Sequence, residues 1–124
     1  MNTGGKLGEL QHALARLRQG AASVQNDLDR DGVIQRFEFT FELVWKAIAE
    51  YAVYKGLEVA SPRDAFRTAA DIGVISNPDV WFDFLKDRNE STHLYSEDRA
   101  QVIFSHIPEF IKEVDKLIAN MSKK

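Results

Sequence analysis

Ile34-Gln35-Arg36-Phe37-Glu38-Phe39-Thr40-Phe41-Glu42-Leu43-Val44-Trp45-Lys46 decides the fold class. Ile34, Phe37, Phe41 and Val44 recur at steps of three and four. Ile48 and Tyr51 continue the line, as on one face of an α-helix. Phe39 and Leu43 widen the stripe, and Trp45 sits beside it. A helix this broadly apolar belongs at the centre of a bundle, touched on more than one side. Glu42 and Lys46, four apart, make a favourable pair on its wet side. Gly56 is placed to end it, so the predicted element runs from about Gly32 to Lys55.

The flanking segments are also helical. Upstream, Leu7, Leu10, Leu14, Leu17, Ala21, Val24 and Leu28 alternate steps of three and four, a seam for packing against another helix. Between the two helices, Asp27, Asp29, Asp31, Gly32 and Glu38 fit the calcium-loop template D-x-D-x-D-G-x5-E. No second such loop exists to pair with it, and the helical pattern already includes Ile34 and Phe37. The expected structure there is a polar turn, with Asp31 near the start of the next helix. Downstream, Ser61-Pro62-Arg63-Asp64 supplies an N-cap, a proline at the first helical position and an acid at the third. Asn77-Pro78 starts another helix in the same way. Ser96 with Glu97 and Asp98 starts the last one. Its core line is Ile103, Ile107, Phe110, Ile111, Val114, Leu117, Ile118 and Met121, and Pro108 should kink it. Four longer helices and a short one, with no strand signal, predict an all-α, up-and-down helical bundle.

The chain has 124 residues, enough for one domain, 1–124, around one core. It is 44% hydrophobic and 28% charged, which suits a folded protein and argues against disorder. The absence of cysteine excludes disulfides, thiolate zinc sites and a cysteine nucleophile. No apolar run approaches a membrane span and no signal-peptide pattern opens the chain, so a cytoplasmic protein is expected. The net charge of −3 gives no global pull toward nucleic acid, so any RNA contact must be local. No cofactor and no metal are called for.

Chemistry concentrates in Arg88-Asn89-Glu90-Ser91-Thr92-His93-Leu94-Tyr95, directly after the apolar run Trp81-Phe82-Asp83-Phe84-Leu85. Arg88 is three, four and seven residues past Leu85, Phe84 and Trp81, so on a helix it continues the buried stripe. A guanidinium there needs a ligand or an acid partner, such as Asp83 or Glu42. Arg88 and His93 are five apart, roughly 140° around a helix, and do not meet on a continuous one. Either the helix ends between them or another chain completes the site. Asn89 and His93, four apart, share a face, where Asn89 can fix the ring's tautomer. His12 and His106 read as lone helix residues with no role.

The phrase from Ile34 to Lys46, followed by Arg88-Asn-x-x-x-His93-x-Tyr95, resembles the nucleotidyltransferase substrate-binding proteins, a branch of the HEPN superfamily. The resemblance spans roughly Leu7 to Met121. It implies an all-α HEPN bundle that pairs as a homodimer and works with a minimal nucleotidyltransferase subunit. In that arrangement this chain is the substrate- or nucleotide-binding half, with Arg88, Asn89, His93 and Tyr95 at the site. The related toxin branch implies an alternative, an RNase that cuts RNA without metal through Arg88 and His93. There the partner transferase adds AMP to the motif tyrosine, here Tyr95. A structural helical dimer is the third alternative.

Overall fold

The computed structural model describes residues 5–93 and 96–123. Among them lie six helices: α1 (Gly5–Ala21), α2 (Asp27–Val53), α3 (Pro62–Asp71), α4 (Pro78–Ser91), α5 (Glu97–Ser105) and α6 (Ile107–Ser122). The all-α bundle expected from the sequence is what forms. Helix α2 touches each of the other five, the central place its broad apolar surface called for. Phe37, Phe41, Val44 and Ile48 are fully buried along it. Its end is set by Gly56 at φ +77°, a conformation that suits glycine. There Leu57 N–H reaches back to the Ala52 carbonyl at 2.9 Å and Gly56 N–H to that of Val53 at 3.0 Å.

Three caps form as their residue types dictate. Ser61 Oγ accepts from Asp64 N–H at 3.2 Å, Asn77 Oδ1 from Asp79 N–H at 2.9 Å, and Ser96 Oγ from Arg99 N–H at 3.3 Å. Helices α3 and α4 thus enter the bundle at defined points. They bring Phe66, Trp81 and Phe84 onto Phe41 and Phe110. Trp81 stacks on Phe66 with centroids 5.2 Å apart, and Phe110 meets Phe84 edge-on at 5.2 Å. This aromatic block anchors α4, the helix that carries Arg88.

Four expectations need correction. Helix α2 starts at Asp27, not Gly32, because Asn26 caps it, accepting from Asp29 N–H at 2.8 Å. Asp27 and Asp29 sit in the first turn, where acids suit the helix dipole. Asp27, Asp29, Asp31 and Glu38 are therefore strung along a helix, and the calcium-loop template has no loop to act through. Among the described residues no three His, Cys, Asp or Glu side chains converge as a metal ion would require. The last helix is broken rather than kinked. His106 ends α5 and precedes α6, and Pro108 lies in the first turn of α6, a position it tolerates well. The α1 seam does not extend to Leu28, which lies on α2 and is 80% exposed. Phe39 does not widen the buried stripe, since it is 61% exposed, whereas Leu43 is buried.

Candidate functional site

Trp81, Phe84 and Leu85 are buried, so the next turn of α4 presses Arg88 against α2. Arg88 donates from Nη2 to Glu42 Oε1 at 2.7 Å. Of the two acids named above, Glu42 is the partner. Glu42 also keeps Lys46 at 3.7 Å, so it is not simply on the wet side. It holds one face of the guanidinium and neutralises part of its charge. Arg88 Nη1 donates to Asn89 Oδ1 at 3.3 Å. A guanidinium has five N–H donors, and the side chain is 33% exposed, so donors remain for an anion.

Helix α4 ends at Ser91, between Arg88 and His93, the first of the two arrangements the spacing allowed. The Ser91 hydroxyl donates to the Glu38 carboxylate on α2, which fixes the last turn. Thr92 Oγ1 donates to the Asn89 carbonyl at 3.1 Å, and His93 N–H donates to the Glu90 carbonyl at 3.0 Å. His93 is thus in the turn after the helix, with its side chain exposed. The expected pairing of Asn89 with His93 on one helix face does not form, because the helix stops first and Arg88 takes the Asn89 amide oxygen. Tyr95 lies outside the described residues.

Beside this helix end is a cavity of about 490 Å³, lined in part by Arg30, Gln35, Glu38, Ser91, Ser96 and Glu97. Arg30 is buried, and Asp31 at 3.0 Å and Glu97 share its charge. Arg99 of α5 pairs with Glu90 of α4. The site is therefore acid-rich, and the three arginines in it already have carboxylate partners. Arg30 was readable as a buried cation. It stands four residues before Ile34 and seven before Phe37, the same register that singled out Arg88. Its partner Glu97, 67 positions away, leaves no local signal.

One more pair adjoins Arg88. Asp87 is 5% exposed, and its Oδ2 lies 2.7 Å from Nδ1 of His106 at the α5–α6 break. His106 is thus not a lone residue. Burial pushes the Asp87 carboxyl above the usual aspartate range, against the opposing pull of the His106 hydrogen bond. The folded state therefore binds the Asp87 proton at a pH where the unfolded chain has released it. Stability from this group is present below the unfolded value near 3.8 and is lost as pH rises through the raised folded value. Asp87→Asn cannot ionise. Denaturation midpoints of wild type relative to Asp87→Asn should fall as pH rises across that window and level off above it. A difference that rises instead would show that the His106 bond outweighs the burial.

The comparisons agree with this architecture. Residues 5–123 match the family described as nucleotidyltransferase substrate binding protein like. A crystal structure of a protein from Thermus thermophilus superposes with a TM-score of 0.85 at 32% identity, covering 90% of this chain and 98% of that one. A Haemophilus influenzae structure, described as revealing the fold of a substrate binding domain of a nucleotidyltransferase, superposes at 0.84 with 23% identity, covering 93% and 98%. The probable ribonuclease HepT of Haemophilus influenzae is 24% identical over 107 residues, 82% of this chain and 73% of that protein. With nearly its whole length matched, and the helix-borne phrases of the motif in place, the chain belongs to the nucleotidyltransferase substrate-binding-protein-like family.

Proposed function

We propose that this chain is the substrate- or nucleotide-binding subunit of a two-component nucleotidyltransferase. It acts as a homodimer with a separate catalytic chain. The observation that carries this reading is Arg88, held at 2.7 Å by Glu42 in acid-rich surroundings. A single cation positioned by a carboxylate suits one phosphate or carboxylate of a small ligand. A long RNA backbone needs several unpaired cations, and Arg30, Arg88 and Arg99 are all paired with acids. In this reading Arg88 binds the anionic group, the Asn89 amide adds a directed hydrogen bond, and the exposed His93 contacts the base or acceptor, as does the motif tyrosine, Tyr95.

A second reading is favoured by the relative named as a probable ribonuclease and by the intact Arg88-Asn89-x-x-x-His93-x-Tyr95 run. In it His93 is general acid or base at a ribose 2′-OH or the leaving oxygen, and Arg88 stabilises the phosphate. Tyr95 is then the AMP acceptor through which the partner silences the enzyme. Incubating the purified protein with RNA in excess EDTA separates the two. Intact RNA, with wild type, Arg88→Ala and His93→Ala equally folded, supports the binding subunit. Cleavage that both substitutions abolish supports the ribonuclease.

A further inference from the structure

Two arginines of α3 share one aromatic ring of α4. The Arg63 guanidinium lies 4.8 Å from the centre of the Phe82 ring, and that of Arg67 lies 5.8 Å from it. Both arginines are exposed, and Phe82 is half-buried. Arg18, Arg30, Arg88 and Arg99 each hold a carboxylate. Among the described residues, Arg63 and Arg67 have no carboxylate within ion-pair distance.

The arrangement costs the chain on its own. Arg63 and Arg67 are four apart on one helix, where like charges repel. Arg63 also lies in the first turn of α3, where the helix dipole disfavours a cation. One arginine would be enough to cover the ring, and the second adds repulsion. An external anion removes both penalties. Arginine suits that task, since it stacks on an aromatic face while its planar fork still grips a phosphate. The patch is small. Asp71, four residues past Arg67, and Asp79, three before Phe82, border it with acids. A few clustered phosphates fit such a patch, whereas a long strand would meet repulsion on leaving it.

We propose that Arg63 and Arg67, seated on Phe82, form a second anion site that takes the oligophosphate tail of a nucleotide. Phe82, Lys86 and Asn89 follow at steps of four and three, so the site stands on the Asn89 face of α4, about 10 Å along the helix from that residue. The role of the site rests on the binding-subunit reading. Two anion sites on one helix let the chain hold a nucleotide tail beside the acceptor group at Arg88.

Isothermal titration calorimetry with sodium tripolyphosphate, ATP and adenosine tests it. The proteins are wild type, Arg63→Gln with Arg67→Gln, Arg88→Ala, and a control of equal charge change, Arg16→Gln with Lys112→Gln. The substituted residues of both double variants are exposed, so both should keep the wild-type circular dichroism spectrum. The expected result is that wild type binds tripolyphosphate and ATP but not adenosine. The Arg63/Arg67 variant should weaken tripolyphosphate at least about 10-fold, and the control and Arg88→Ala should leave it unchanged. Equal weakening by the control would mean diffuse attraction and overturn the site. Weakening by Arg88→Ala alone, or no binding of tripolyphosphate by wild type, would overturn it and leave the binding-subunit reading standing. Tighter binding of a long single-stranded RNA than of ATP, lost in the Arg63/Arg67 variant, would overturn the nucleotide as occupant.

Discussion

Arg88→Ala is expected to lower nucleotide transfer by the reconstituted two-chain enzyme by about 100-fold or more in kcat/KM, with the fold intact. The side chain sits on the last turn of α4, which Trp81, Phe84 and Leu85 pin into the core. Its guanidinium gives Nη2 to Glu42 and Nη1 to Asn89 and keeps donors for an incoming anion. Removing it deletes the only feature of the motif that offers a fixed positive charge. The effect on stability should be small. Both members of the Arg88–Glu42 pair are about a third exposed, 33% and 30%, and such pairs contribute at most about 1 kcal/mol. Glu42 also retains Lys46. Arg88→Lys should not rescue, because an ammonium lacks the planar fork that spans a carboxylate and a second anion. The measurement is the transfer rate at varied substrate concentration, with thermal melts of each variant. Unchanged kcat/KM in Arg88→Ala would remove Arg88 from the site.

Phe110→Ala should destabilise the fold by about 3–5 kcal/mol. Phe110 is fully buried, and four aromatic rings surround it. Phe37 and Phe84 meet it edge-on at 4.8 and 5.2 Å, Trp81 at 6.1 Å, and Phe41 is tilted at 6.4 Å. Deleting the ring loses its own burial and leaves a void that the neighbours cannot easily fill. Trp81, for instance, is held by its stack on Phe66. Because Trp81 and Phe84 anchor α4, the void should also loosen the placement of Arg88. Phe110→Leu keeps much of the volume and should cost clearly less. Urea denaturation measures both, and a loss below about 1 kcal/mol for Phe110→Ala would mean that the core collapses to fill the space.

Much of the fold is readable in the residues because it rests on local rules. Burial at a helical period marks Phe37, Phe41, Val44 and Ile48. Ser61, Asn77 and Ser96 are short polar side chains that each cap the helix immediately downstream, and Pro62 and Pro78 fit only a helix start. Gly56 ends α2 because its left-handed backbone suits glycine. The misreadings occur where one residue type serves two structures. Asp27, Asp29 and Asp31 suit a polar turn before the helix, yet acids suit a helix N-terminus equally well, and the Asn26 cap decides between them. Phe39 fits a buried stripe by spacing, yet it lies on the open side of α2 and is 61% exposed. Within the site, Arg88 stands out because a cation on an apolar line needs an explanation. Glu42 was one of two candidate partners. Ser91 with Glu38, Arg30 with Glu97, and Asp87 with His106 left no trace, since tertiary packing brings together groups that are 53, 67 and 19 positions apart.

The most direct test of the binding-subunit reading is nucleotide transfer by the partner minimal nucleotidyltransferase, measured with and without this chain. The probe is α-phosphate-labelled ATP, and label is followed into small-molecule, nucleotide and protein fractions of a cell extract. Label that enters an external acceptor only when both chains are present is the expected result. Label transferred equally well without this chain, or deposited on this chain itself, would contradict the binding-subunit reading.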